Sequence, residues 1–561
     1  MERVDRTTTA KLRESAAQIG GDSIYPEIDS KRYESGSIFP DFPDDVDRPA
    51  TSNPTASELV FEEIPSTQED AASITQRFER MAAGPTDARK FGFDDALKQA
   101  IAHSDEYQTA QETYLIAAIR LLIEEHRWGV LPTNVSAASM SSTGDGSRFD
   151  NALRLVNELG VSQRLPYGGE VSAAFVVNAT EQLDDYLGNG DAQSANFVLA
   201  AEIPLLRGAG DVAREELIQS RRNLIYAARN FEQFRSDFYL ELAADYLQLV
   251  LQLQNIANGQ RQVDRSAAVE ARTKALVESG RTEPFQADLA IQNTLFALDR
   301  LAGLREAYRL SVDRFKARLG MPVEESIEID AKMFDLPVPK IAPDDALALA
   351  FRYRLDLQTD RDLVDDFERK VDVARNALLG DLDLVLTNNL PTDPTRSSGG
   401  LRLDPGYDRF AATLRYSMPL DRVSEDLRLR QSQIALEQVK RGYFQSRDDV
   451  AVAVRQAARG IERAQFSLVV NERNVQAAMN RQAAIDAAPD RATARDRTEA
   501  VDALRRAQDD LARARRDLQL AILRYLNTSG QMRVSPEGRL IPLPGMDLDQ
   551  NSGPGIAIDQ G

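Results

Sequence analysis

The sequence predicts a mainly α fold with paired amphipathic β-strands, built from a helix–strand–strand–helix hairpin unit that occurs twice. Three observations predict it: a strand that feeds directly into a long heptad helix, a helical hairpin beyond that join, and a second copy of the same order downstream. In residues 196–206, Phe197, Leu199, Ala201, Ile203 and Leu205 share one face while Asn196, Val198, Ala200 and Glu202 share the other. That period of two belongs to a half-buried strand. After Pro204 and the break at Arg207, Gly208, Ala209 and Gly210, the period changes. Leu217, Leu224, Phe231 and Phe238 fall seven apart, with Ala227, Phe234 and Leu242 between them, which is a heptad seam.

Composition fits extended helices. Of 561 residues, 42% are hydrophobic and 28% charged, in runs rich in Ala, Leu, Arg, Asp and Gln. A formal net charge of −20 disfavours a nucleic-acid partner and offers no basic patch to anionic lipid. With no cysteine and two histidines, disulfide frameworks, thiol catalysis and zinc-type sites drop out together. The most apolar stretch, Tyr114–Ile123, contains Arg120 and is far shorter than the ~20 residues of a spanning helix. The N-terminus MERVDRTTTAKLRES has no apolar core after its charges and is not a signal peptide as written. An export signal upstream of the given start, or already removed, is one expectation; a cytoplasmic protein is the other.

Along the chain, residues 1–90 are rich in Pro, Asp, Ser and Thr and are expected to be extended or disordered. A helical run follows from Asp94 to Trp128, with an acidic first turn. Residues 130–140 are small and β-prone. A Ser/Gly/Asp loop and a short amphipathic piece, FDNALRLVNELG, lead to a second alternating stretch at 168–181. There Val171, Ala173, Phe175, Val177 and Ala179 oppose Ser172, Ala174, Asn178 and Thr180. The helix from about Asp211 to Glu278 measures on the order of 100 Å. It turns at Ser279–Pro284 and returns from Phe285 to Leu319, where Leu301, Tyr308 and Phe315 again sit seven apart. Gly320, Met321 and Pro322 stop it.

The order then repeats. Asp94–Leu97 recurs as Asp344–Leu347, Ala100 as Ala350 and Gln108 as Gln358. Strand patterns recur at 381–390 and 408–419, the second closed by Pro419 and Leu420 as the first is by Pro204 and Leu205. Leu217, Phe231, Arg235 and Asp237 match Leu429, Tyr443, Arg447 and Asp449 at a constant offset, and Gly320 matches Gly530. The expected repeats cover 91–330 and 331–530, with helical hairpins at 211–320 and 423–529, and residues 531–561 form a polar tail without structural signal.

Each unit supplies two alternating strands of about 9–11 residues, the length that crosses a bilayer with one face in lipid. Four strands per chain cannot close a useful barrel, and an open edge cannot face lipid. Either the strands form a small soluble sheet capping a helical bundle, or several chains share one barrel; three copies give twelve strands. Glu202, Asp383, Arg409 and Arg415 all lie opposite the Leu, Phe and Tyr faces, a distribution that suits a watery lumen. Trp128 is either an interfacial anchor or ordinary packing.

Residues 90–530 resemble the TolC-like outer-membrane efflux protein family. The resemblance rests on the duplication, on the junction EIPLLRGAGDVAREELIQSRRNL, on the tip ALVESGRTEPFQADLAIQNTLFALDRLAGLREAYRLSVDRFKARLG with its Leu319-Gly320 ending, and on the LPYGG strand entry. It implies a homotrimer with a twelve-stranded barrel in outer-membrane lipid, continued by an α-helical coiled-coil tunnel through the periplasm. It also implies docking of the hairpin tips onto a periplasmic adaptor protein, with an inner-membrane transporter supplying energy. The tip candidates are Gly280, Arg281, Thr282 and Glu283, with Pro489 and Asp490 at the second tip, where Pro489 replaces a glycine. Pro204, Gly208, Gly210 and Pro419 are the candidate strand–helix hinges. The insertion at 141–167 leaves repeat 1 longer than repeat 2. Since the chain must return to one side, 130–140 and 168–181 are expected to form a single interrupted strand with a short inward helix.

No catalytic constellation emerges, and no cofactor is expected. His103 and His126 lack a nucleophile motif nearby. Asp365, Asp366 and Glu368 read as a solvated acidic helix face. Gly208, Ala209 and Gly210 match neither GxGxxG nor the Walker spacing. The functional reading is a passive exit duct of a tripartite efflux pump. Its alternatives are a type I secretion duct and, in another class, a non-transport coiled-coil scaffold.

Overall fold

The computed structural model describes residues 2–18, 89–145, 148–184, 192–332, 336–339, 343–393, 402–487, 492–535 and 540–541. The chain is mostly helical with one large antiparallel sheet, and the duplication is visible in its lengths. In the first repeat α2 (Phe93–His103) has 11 residues and α3 (Asp105–His126) has 22; α4 (Glu215–Glu278) has 64 and α5 (Pro284–Arg318) has 35. In the second, α6 (Pro343–Tyr353) has 11, α7 (Leu355–Asn376) 22, α8 (Val423–Ala487) 65 and α9 (Ala494–Thr528) 35. The helical run expected from Asp94 to Trp128 is thus two helices, broken at Ser104, whose extended backbone ends α2.

The sheets hold the main correction. Between α3 and α4 lie four strands, not two: β2 (Leu131–Asp145), β3 (Arg148–Arg164), β4 (Glu170–Asp184) and β5 (Ala192–Pro204). The second repeat adds β7 (Asp381–Pro391) and β8 (Arg409–Ser417), and all six pair in the order β2-β3-β4-β5-β7-β8. Every neighbouring pair is antiparallel. The expectation of four strands per chain therefore fails, because one chain pairs six in a single sheet. The stretch taken for a short inward helix is β3. Its Leu153, Val156 and Leu159 fit a helical spacing, while Leu153, Leu155, Leu159 and Val161 fit alternation equally well, and long-range pairing decides between them. Because β3 carries the chain back, 130–140 and 168–181 are separate strands running the same way. The parity that seemed to forbid two crossings is satisfied by a third.

The structure divides into two units that cut across the two repeats. One unit comprises residues 1–113, 230–355 and 447–561, and the other 114–229 and 356–446. The first holds two small sheets: β1 (Arg89–Phe91) lies parallel to β6 (Ile327–Ile329), and β9 (Arg533–Val534) pairs with β10 (Leu540–Ile541). Its core is aromatic and heptad-based. Tyr107 packs on Phe231, Phe234 and Phe238, Phe93 meets Tyr239 and Tyr246 edge-on, and Val263, Ala297, Leu298 and Leu301 close a further layer. Polar bonds tie α4 to α9: Asn258 donates to Asp509 at 2.8 Å and Gln262 to Asp502 at 2.6 Å. Buried Arg235 pairs with Glu232 and donates to the Val534 carbonyl, so the start of the tail expected to lack structure is part of this core.

Residues 2–18 form a helix, α1 (Glu2–Gln18), where an extended or disordered segment is expected from sequence; Leu12 on it is fully buried. The remainder of that expectation, 19–88, lies outside the described residues.

Candidate functional site: a two-faced sheet, its helix junction and the hairpin tip

Directly paired residues in an antiparallel sheet lie on the same face, so the register sorts every side chain. One face collects Leu153, Leu155, Leu159 and Val161 of β3, paired with Glu181, Ala179, Phe175 and Ala173 of β4. It continues through Phe197, Leu199, Ala201 and Ile203 of β5, opposite Leu390, Asn388, Leu386 and Leu384 of β7. On β8 it ends with Phe410, Ala412, Leu414 and Tyr416. Leu159 is 59% exposed, Leu414 63% and Phe410 68%, so no element among the described residues covers these positions. Three of its polar members bond one another: Asn157 donates to Asn134 Oδ1 at 3.2 Å and to Ser136 Oγ at 2.7 Å.

The opposite face is polar. Arg415 of β8 pairs with Asp383 of β7 at 3.1 Å and with Glu202 of β5, three adjacent strands joined by one guanidinium. Arg154 of β3 donates to Asn178 of β4 at 2.9 Å. A six-stranded sheet, apolar and uncovered on one side and charged on the other, has the surface chemistry of a wall between lipid and water.

Where β5 gives way to α4, the hinge residues come together. Pro204 ends the strand, Gly208 and Gly210 adopt φ of 76° and 74°, and a 3-10 turn at Gly210–Arg214 starts the helix. Gly208 N–H donates to Asn376 Oδ1 at the end of α7 (2.8 Å), and Gly210 N–H to the Tyr167 carbonyl (2.8 Å). In that β3–β4 turn, a Cβ on Gly169 would stand 2.0 Å from the Glu202 carbonyl oxygen. Pro419 lies two residues past β8 on an exposed segment, held instead by Arg422, which donates to the Leu378 carbonyl at 3.2 Å.

The acidic cluster read as a solvated face is in part the opposite. Asp366 has no solvent exposure. It accepts from Tyr226 at 2.6 Å and from Arg369 at 2.9 Å, and it pairs with Arg222. Arg229 bonds Asp362 at 2.7 Å and Arg369 bonds Glu215 at 3.1 Å. These pairs fasten the first turns of α4 to α7. Burial, with the Asp366 hydrogen bond, pushes the Tyr226 phenol well above its ordinary range, so it stays a donor. Sequence reasoning missed the cluster. Its signal was present as Arg222, Tyr226 and Arg229 at helical spacing on one stretch and Asp362, Asp366 and Arg369 on another.

At the first hairpin tip Gly280 has φ 70° and its N–H donates to the Val277 carbonyl, while Arg281 N–H reaches Leu276. This Schellman cap recurs at Gly320 and Gly530. Glu283 is the N-cap of α5 with Pro284 following. Gly280, Arg281 and Glu283 are exposed and Thr282 half-buried. Phe285, which sequence reasoning passed over, is 62% exposed beside them. Pro489 and Asp490 lie outside the described residues. No group of three His, Cys, Asp or Glu among the described residues is placed to hold a metal ion.

Solved structures share this architecture. The outer-membrane channel OprN matches with TM-score 0.60 and 14% identity over 78% of this chain and 89% of that one. The outer-membrane protein VceC of Vibrio cholerae matches with TM-score 0.61 and 13% identity over 78% and 96%. The fold is that of the TolC-like outer-membrane channels. The open MtrE outer-membrane channel of Neisseria gonorrhoeae shows the same TolC-like fold at TM-score 0.56 and 14% identity, over 78% and 88%. No protein-family model matches the chain, and no curated protein matches it in sequence.

Proposed function

We propose that the chain is an outer-membrane exit duct, a passive channel rather than an enzyme. One observation carries this reading: the uncovered apolar face of the six-stranded sheet, backed by a charged face in the same register. Backbone edges cannot be left open in lipid, so β2 and β8 need partners, and copies of the chain supply them. Uncovered apolar residues on the helices of the same unit support association: Ile116, Ile119 and Ile123 on α3, and Leu427 and Ile434 on α8. Three copies, a periplasmic wall made by the long helices, a periplasmic adaptor meeting the tip at Gly280–Glu283 and an inner-membrane transporter complete the efflux reading, in keeping with channel proteins of the same fold.

The test is fractionation and conductance. Expressed in a Gram-negative host, the protein is expected in the outer-membrane fraction as a heat-modifiable trimer that conducts ions in a planar bilayer. A soluble monomer without conductance would instead support a coiled-coil scaffold.

A further inference from the structure

We infer that the β2–β3 hairpin is part of the barrel wall and that β2 of one copy pairs with β8 of the next, giving eighteen strands from three copies. The inference rests on the channel reading and concerns how the wall closes.

First, the hairpin shares the apolar band. Leu155, Leu159 and Val161 of β3 are paired with Ala179, Phe175 and Ala173 of β4, which pair in turn with Gln193, Phe197 and Leu199 of β5. A plug inside a lumen meets water on both faces and has no use for a one-sided apolar band in register with its neighbours. Second, six strands are an even number, so β2 and β8 run in opposite directions and join across copies as an ordinary antiparallel pair. Third, β2 is a weakly guarded edge. Over residues 131–144 it carries no charged side chain and its one proline, Pro132, sits at the strand's start, whereas exposed edges of soluble sheets are blunted along their length with charge, proline, bulges or shortness. An edge of 15 residues with free N–H and C=O groups fits a strand from a second copy.

Barrel diameter grows with strand number. For a spacing of about 4.8 Å and a tilt near 40°, eighteen strands give a backbone diameter of about 36 Å against about 24 Å for twelve. The chain thus builds a mouth about 1.5-fold wider than a four-strand contribution does.

Cysteine cross-linking tests the seam without background, because the chain has no cysteine. Ala412→Cys or Leu414→Cys on β8 is combined with Ser136→Cys or Ala138→Cys on β2, or with Ala173→Cys or Ala179→Cys on β4. The full-length protein is oxidised with copper-phenanthroline in membranes and run under denaturing conditions. Cross-linked dimers and trimers are expected from the β8–β2 pairs only. Products from β8–β4 pairs, or none from β8–β2 in membrane-inserted protein, overturn the eighteen-strand seam and leave the channel reading intact. Protein that is absent from membranes and monomeric overturns both. Electron cryomicroscopy of the purified assembly gives the second reading, eighteen strands in the wall against twelve.

Discussion

Asp366 is the residue on which the junction most depends. A carboxylate without solvent exposure, bonded to Tyr226, Arg222 and Arg369, leaves two half-buried guanidinium groups and a buried phenol short of their shared acceptor when neutralised. Asp366→Asn is expected to cost about 3 kcal/mol, read as a lower urea midpoint with unchanged slope. Gly169 makes the opposite kind of demand, for space. Any side chain there meets the Glu202 carbonyl at 2.0 Å, and its φ of 85° is strained for L-residues, so Gly169→Ala should abolish the assembled oligomer. Gly442→Ala, on α8 with nothing within 4 Å, should leave oligomer yield unchanged. Glu232 sets a pH dependence. Burial raises its carboxyl above the ordinary value, outweighing Arg235 and Arg533. The native state therefore binds that proton more tightly than the unfolded chain does. Stability is highest below the ordinary glutamate value and falls as pH rises through the raised one. Melting temperatures between about pH 4 and 7 should fall less steeply in Glu232→Gln than in the unaltered chain.

Among elements, the long helices were legible, whereas α1, the small sheets and β3 were not. Heptads through Leu217, Leu224, Phe231 and Phe238 locate α4, and a glycine at each Schellman cap marks where a hairpin turns or ends, at Gly280, Gly320 and Gly530. β5, β7 and β8 alternate cleanly enough to be placed within a few residues. β3 does not, because Asn157 sits on its apolar face and Val156 on its polar face, which breaks the period of two that local reading needs. Its strand state is fixed by partners on both sides, information a single segment does not carry. The Asp366 cluster was hidden for a related reason: acidic residues on a helix look solvated until the facing helix is known. Leu131 pairs with Ser162, so excising 131–164 leaves no gap to span before β4. That deletion should still yield an assembled barrel, narrowed by about a third in projection images.

At the scale of the molecule, duplication explains why helix lengths repeat almost residue for residue while the strand counts differ. Packing against neighbours fixes the helices, whereas a hairpin can be added to a sheet without disturbing parity or the strand directions on either side of it. The account stands on the claim that one face of this sheet lies in lipid and the other in water. Nitroxide labels on single cysteines at Phe410, Ala411, Thr413 and Leu414 of β8, in protein reconstituted into vesicles, measure this most directly. Labels at 410 and 414 should be accessible to oxygen and shielded from a water-soluble nickel chelate, and labels at 411 and 413 should show the reverse. Equal access of the nickel chelate to all four positions would contradict the account.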